Sequence, residues 1–365
     1  MSDFDDLLSE VNDGIAGRNG GLPMGFQRLN NHVTLRKANN YLVGGFTGTG
    51  KTGFVDDAFV LNPISYHIVH PDSTSIEIVY WSMERPRKFK LMKWISRKIF
   101  LDHGLIIPVK RWMGWCNEAD RIKPEEKLIF ETYREYINAI LSKIHIFDSS
   151  TDHNPTGFRN IMREFFAARG TIRERVPAEN GNPPIPRLYI PHDPRKIILI
   201  IKDHLGLIRN EKNLNIKKDI IDKVAQDDRY FRDFYGASNV HISQFNRDIS
   251  NPTRLKNGDV EPMLEDFKDS GSTQEDADVV ISLFDPSRYK VPDPSRYDLD
   301  KLTHQGDLKY RSIKILKNSY GVANIRIGMG FQGSTGMFKE LPHLDQIDDN
   351  IYSSVRDDSY FLPHH

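Results

Sequence analysis

Apolar positions along this chain recur in two rhythms. Short, nearly continuous apolar runs fall at 41–44, 76–82, 144–147, 196–202, 240–243, 279–284, 311–316 and 325–330, and each predicts a strand. Between them, apolar residues return at helical spacing over about 51–61, 87–103, 124–143, 155–169 and 217–235. Strand and helix patterns that alternate this way predict an α/β fold, with a mostly parallel twisted sheet flanked by helices. The run Ile197-Ile198-Leu199-Ile200-Ile201 has no polar face, as expected of a strand covered on both sides. Lys202 is the odd residue, a charge just inside that strand's end. In the pattern at 87–103, Phe89, Met92, Ile95 and Ile99 make one face, and Lys90, Lys93, Arg97 and Lys98 read as a solvated one.

The flanks differ. In residues 1–24, Phe4, Leu7, Leu8, Val11 and Ile15 keep helical spacing until Gly17, Gly20, Gly21 and Pro23 break it. A helix that short needs another surface to cover its apolar face. The expected organisation is this arm, a single motor-like unit over 25–340 with proline-rich insertions at about 171–194 and 285–309, and a tail over 341–365.

Composition narrows the picture. Fifty basic residues balance fifty acidic ones, so any nucleic-acid contact has to come from local loops and not from a broadly basic surface. A single cysteine, Cys116, excludes an internal disulfide and a multi-cysteine zinc site. No run of about 18 apolar residues predicts a membrane-spanning helix. The acidic N-terminus lacks the basic and apolar regions of a signal peptide, which points to the cytoplasm.

The chemistry begins at Gly45-Phe46-Thr47-Gly48-Thr49-Gly50-Lys51-Thr52, a complete G-x-x-x-x-G-K-[ST] phosphate-binding loop between a strand and a helix. Its glycines let backbone N–H groups turn toward phosphates, and the helix N-terminus adds its positive dipole end. Lys51 would meet the β/γ-phosphates and Thr52 would ligate Mg²⁺, so ATP with Mg²⁺ is the expected ligand pair. Three later strands end in polar residues on the side where an open parallel sheet binds ligands. They deliver Glu84, Asp203 and Gln244. Glu84 could orient a water for attack on the γ-phosphate or be an ordinary solvated strand end. Asp203 has the place of a metal-side aspartate, and Gln244 could sense the γ-phosphate.

Taken together these segments resemble the RecA-like motor domain of DnaB-type replicative helicases. Gly25-Phe26-Gln27-Arg28-Leu29-Asn30 resembles that family's opening segment, and Ser82-Met83-Glu84-Arg85-Pro86 its S-L-E-M-P motif. Asp203-His204-Leu205-Gly206-Leu207-Ile208 is similar to D-Y-L-Q-L-M, and Ser243-Gln244-Phe245-Asn246-Arg247 to S-Q-L-N-R. The stretch from Asp266 to Asp278 tracks D-L-R-E-S-G-x-I-E-Q-D-A-D. The resemblance spans about residues 25–331. It implies that Lys51 and Thr52 bind phosphate and metal, that Glu84 is the catalytic carboxylate, that Asp203 holds the metal side, and that Gln244 senses the γ-phosphate. It implies further that Lys268, Asp269 and Gly271 belong to a loop tracking single-stranded DNA in a central channel. A second channel loop would carry Arg209, Lys212, Lys217 and Lys218, although these could equally solvate a helix start.

Two departures carry weight. The family has an N-terminal collar domain where this chain has the short arm, so no collar-based primase docking is expected, and the arm resembles the linker helix that packs on a neighbouring subunit. At Lys317-Asn318-Ser319-Tyr320-Gly321, aligned with K-Q-R-N-G, Lys317 keeps one basic finger but Ser319 stands in place of the arginine. Arg311 and Arg326 are the nearest substitutes. The resemblance implies a ring, most simply a homo-hexamer, that hydrolyses ATP between subunits and translocates 5′→3′ on single-stranded DNA, with a primase or helicase loader as conceivable partners. Its compactness suggests a phage- or plasmid-borne protein in a host cytoplasm. A RecA-like recombinase or loader that binds DNA without unwinding it, and a weakly catalytic ring scaffold, remain as alternatives.

Overall fold

The computed structural model describes residues 3–148, 150, 151, 153–176, 187–211, 216–246, 249, 251–257, 259–267 and 271–363. Its strands are β1 (Asn40–Gly45), β2 (Ile76–Ser82), β3 (Ile144–Asp148), β4 (Gly170–Arg173), β5 (Leu188–Pro191), β6 (Ile197–Asp203), β7 (Ser238–Gln244), β8 (Val279–Phe284), β9 (Thr303–His304), β10 (Asp307–Leu308), β11 (Tyr310–Asn318), β12 (Ile325–Gln332) and β13 (Met337–Glu340). Nine of them form one sheet in the order β13-β12-β11-β8-β1-β7-β6-β2-β3. From β8 to β3 every pair is parallel, and β11, β12 and β13 extend the edge antiparallel. The α/β expectation holds.

Strand alternation sorts side chains onto two buried faces, and this sorting places the site. On one face Ile76, Ile78 and Tyr80 of β2 join Ile197, Leu199 and Ile201 of β6 beneath Phe54, Val55, Ala58 and Phe59. On the other, Val79, Trp81, Ile198 and Ile200 pack on Phe158, Met162, Phe166, Ile220, Val224 and Phe231. Burial on both faces is what a continuous apolar run requires. Asp203 continues the odd-numbered row of β6 toward the helix that follows the phosphate loop. Lys202 takes the opposite face, where its Nζ donates to Asp228 Oδ1 at 2.6 Å. His241 Nε2 lies 3.0 Å from the other Asp228 oxygen. Burial alone would push the Asp228 carboxyl up, but Lys202 and His241 hold it below its ordinary value. Lys202 is therefore a paired core residue.

The helix after the phosphate loop runs past the expected end. It is α-helical over Lys51–Val55, widens to π geometry over Asp56–Leu61, and resumes over Asn62–Val69. Pro63, which has no N–H to give, falls just after the wide turn. The pattern at 124–143 divides into Pro124–Thr132 and Arg134–Leu141.

The lysine face expected on Arg87–His103 is not solvated. Lys90 is buried, and Arg97 pairs with Asp57. The reason is long-range, because Asp56 and Asp57 on the preceding helix supply buried carboxylates that turn these cations inward. Strands β4 and β5 form an antiparallel hairpin within the segment read as an insertion. In the stretch 285–309, Tyr297, Leu302 and Leu308 are buried against Tyr310, Tyr352 and Val355. From residue 341 on, the chain forms the helix Asp349–Arg356 and seats Phe361 against Phe100.

Candidate nucleotide site

β1 lies between β7 and β8 in the sheet interior, and the phosphate loop leaves its carboxyl end. The loop needs glycine for two separate reasons. Gly48 and Gly50 have φ of +86° and +92°, which side-chain-bearing residues rarely adopt. A Cβ on Gly50 would also lie 2.8 Å from both Phe331 and Phe338. Lys51 Nζ donates to the Phe46 carbonyl at 2.8 Å, and Thr49 Oγ1 donates to the same oxygen at 2.8 Å. Burial pulls the Lys51 ammonium down to about 8, against an opposing pull from Asp203 and Glu84. Gly45 and Thr47 complete the loop, and Arg288 Nη1 donates to the Thr47 carbonyl at 3.0 Å. That guanidinium lies 4.7 Å from the Phe46 ring centre.

Thr52 and Asp203, distant in sequence, meet here. Thr52 Oγ1 donates to Asp203 Oδ2 at 3.0 Å. A hydroxyl and a carboxylate form a hard-oxygen donor set, which suits Mg²⁺ when a nucleotide's phosphates supply further oxygens. Among the described residues no group of three or more His, Cys, Asp or Glu could hold a metal by itself. Asp203 is buried, and burial raises its pKa while Lys90 lowers it.

Glu84 follows β2, in a turn tied to the end of β6. The Met83 N–H donates to the Asp203 carbonyl at 2.9 Å, and Ser82 Oγ donates to the Arg85 carbonyl at 2.6 Å. Glu84 is exposed, and its charge is felt at Lys51, Asp203 and His204. Gln244 ends β7 in register with Gly45, and its Nε2 lies 3.2 Å from His204 Nε2. The residues after it are stitched to the start of the expected DNA loop. Phe245 bridges to Phe267, and the Asn246 N–H donates to the Asp266 carbonyl at 2.7 Å.

Lys317 lies elsewhere. It pairs with Val280 near the start of β8, the sheet edge opposite the phosphate loop, and donates to the Glu275 carbonyl at 2.9 Å. The two substitutes considered for Ser319 are already engaged. Arg326 donates to both carboxylate oxygens of Glu261, at 2.5 and 2.8 Å. Arg311 is buried 4.5 Å from the Phe331 ring centre, 3.4 Å from Asp285, on the chain's own phosphate-loop side. Of the expected DNA-contacting residues, Lys212, Lys268 and Asp269 lie outside the described residues. Gly271 opens the helix Gly271–Asp276, and Arg209 is exposed with its N–H on the His153 carbonyl at 2.7 Å.

Sequence reading missed Tyr80, Lys90 and Asp56, which surround Asp203 from behind. The available signal was a pair of acidic residues, Asp56 and Asp57, inside an otherwise apolar helix.

With this arrangement in hand, comparison with known proteins is informative. Residues 189–340 match the family described as DnaB-like helicase C terminal domain. The resemblance to DnaB-type motors is therefore real. The match takes in Asp203, Gln244 and Lys317 and begins after the phosphate loop. The replicative DNA helicase DnaB of Mycobacterium leprae (strain TN) is 30% identical over 102 residues, 28% of this chain and 16% of that protein. The DnaB-like similarity at sequence level thus spans a small part of that relative's length. Two solved structures share the fold at 17% identity, each covering 94% of this chain. One is a phage-style-titled ATPase domain covered in full, with TM-score 0.65. The other is a DnaB-like replicative helicase described with its interactions with primase, 67% covered, with TM-score 0.63. Among the described residues, no helix is long and apolar enough to cross a membrane.

Proposed function

We propose that this chain is an ATP-driven DNA helicase motor of the DnaB type, working as a homo-oligomeric ring on single-stranded DNA. The observation that carries the reading is the meeting of Lys51, Thr52 and Asp203 at one phosphate loop, with Glu84 and Gln244 on the neighbouring strand ends. In this reading Lys51 and the loop N–H groups hold the phosphates, and Thr52 and Asp203 hold Mg²⁺ or its water shell. The metal supplies charge neutralisation at the phosphates. Glu84 orients the attacking water. Gln244 reports the γ-phosphate to the segment 266–271 through the Phe245–Phe267 and Asn246–Asp266 backbone ties.

The test is ATP turnover with and without single-stranded DNA, beside strand displacement on a fork with a free 5′ tail. DNA-stimulated turnover abolished by Lys51→Ala, together with ATP-dependent displacement, is the expected result. Stimulated turnover without displacement would favour the second reading, a RecA-like loader or recombinase, which Ser319 in place of arginine supports. No turnover in either condition would leave the nucleotide as a structural ligand.

A further inference from the structure

Behind Asp203 lies a buried polar cluster that the proposed chemistry does not use. Tyr80 OH donates to Asp203 Oδ2 at 3.1 Å, the oxygen that also accepts from Thr52. Lys90 Nζ donates to Tyr80 OH at 2.7 Å and to Asp56 Oδ1 at 3.0 Å, and lies 3.9 Å from Asp203 Oδ2. Trp94 Nε1 donates to the other Asp56 oxygen at 2.9 Å. Lys90, Asp56, Tyr80 and Asp203 are each no more than 4% exposed.

Such a cluster is costly to bury, and each member has its partner. Its arrangement is also specific. Lys90 belongs to Arg87–His103, the helix that follows the Glu84 turn. Asp56 belongs to the helix that begins at Lys51, and Tyr80 to the strand that ends before Glu84. One ammonium therefore ties together the three segments that carry Glu84, the phosphate loop and the neighbour of Asp203. The Tyr80 hydroxyl, accepting from Lys90, has its proton free to fix the Asp203 carboxylate. Polar partners behind a metal-side carboxylate set its orientation and typically change metal affinity or activity by about 10–100-fold when removed.

We infer that Tyr80, backed by the Lys90–Asp56 ion pair, is a positioning residue that holds Asp203 in the orientation required for divalent-cation binding beside the nucleotide. The inference rests on the proposed role of Asp203, and the experiment separates the two. Mn²⁺ is titrated into the full chain with a non-hydrolysable ATP analogue and followed by electron paramagnetic resonance. Wild type is compared with Tyr80→Phe and Asp203→Asn, and analogue binding without divalent cation is measured alongside.

Tyr80→Phe removes one hydroxyl and leaves Lys90 paired with Asp56. It is expected to weaken Mn²⁺ about 10-fold while metal-free analogue binding stays unchanged. The joint change Asp56→Asn with Lys90→Gln replaces the ion pair by neutral amides and is expected to shift Mn²⁺ affinity the same way, so either variant decides if the other fails to fold. Wild-type Mn²⁺ affinity in a folded variant of either kind, with Asp203→Asn still defective, overturns the positioning role alone. Wild-type affinity in Asp203→Asn overturns the metal-side reading of Asp203 and this inference with it.

Discussion

Lys317 donates to the Glu275 carbonyl at the edge of the sheet where β8 begins, while Lys51 sits beyond the edge where β1 ends. A nucleotide served by Lys317 therefore belongs to another copy of the chain. Transfer of a γ-phosphoryl spreads charge over its equatorial oxygens, and a cation supplied from a second subunit is worth on the order of 10³–10⁵ in rate in related enzymes. Arginine presents a planar fork to those oxygens and lysine only a point charge. With Ser319 beside Lys317, and with Arg311 and Arg326 committed to Asp285 and Glu261, Lys317 is left as the trans cation. Lys317→Ala is expected to reduce steady-state ATP turnover at least 10-fold, and Ser319→Arg to be neutral or activating. Fast wild-type turnover indifferent to Lys317→Ala would place the trans cation elsewhere.

At the scale of elements, the outer end of β2 is held by charge. Glu77 accepts from Arg169 Nε at 2.9 Å, pairs with His145 Nε2 at 2.8 Å and lies 3.6 Å from Lys196. Burial pushes the Glu77 carboxyl up, and the hydrogen bonds from Arg169 and His145 with the Arg169 and Lys196 charges overcome it, holding the group far below the usual carboxylate range. A carboxyl depressed in the folded state stabilises fully above its unfolded pKa, about 4.3, and progressively less as pH falls toward the folded value. Glu77→Gln should cost roughly 1–2 kcal/mol in urea unfolding at pH 7, and the gap should narrow below about pH 4. A gap independent of pH would mean that packing, not charge, accounts for the loss.

The same strands show what could be read in advance. β2 and β8 were legible to the residue because their apolar runs end abruptly in Ser82 and Phe284. Asp203 was legible as the polar end of a run with no polar face. Lys90 was not, because an amphipathic helix read alone turns its lysines outward. Its partners Asp56 and Tyr80 are contributed by other elements, and no local pattern encodes that pairing. β13 was missed because four residues, Met337–Glu340, are too few to show a period. The β4–β5 hairpin was missed because its two strands are four residues each and separated by a proline-rich stretch.

For the molecule as a whole, the arm and Lys317 make the same demand. The helix Asp3–Ile15 leaves Phe4, Leu7, Leu8, Val11 and Ile15 between 49% and 81% exposed. Its ties to the rest of the chain include hydrogen bonds close by in sequence, Arg18 to Asp13 at 2.8 Å and Asn19 to the Glu10 carbonyl at 3.0 Å. Thirteen residues are too few to sustain a helix in water without tertiary cover. Burying that stripe would gain about 25 cal/mol for each Å² of apolar surface removed from water. A second copy of the chain satisfies both requirements, since it covers the stripe and brings a foreign Lys317 to each phosphate loop. Deleting residues 1–18 should therefore shift the protein toward monomer in light scattering and lower ATP turnover in parallel. The far-ultraviolet circular dichroism of the remaining sheet and helices should be preserved. A truncated protein that assembles with full-length stoichiometry would show that subunits associate through another surface. The apolar stripe would then have to be covered by its own chain, and the requirement for Lys317 in trans would stand on its geometry alone.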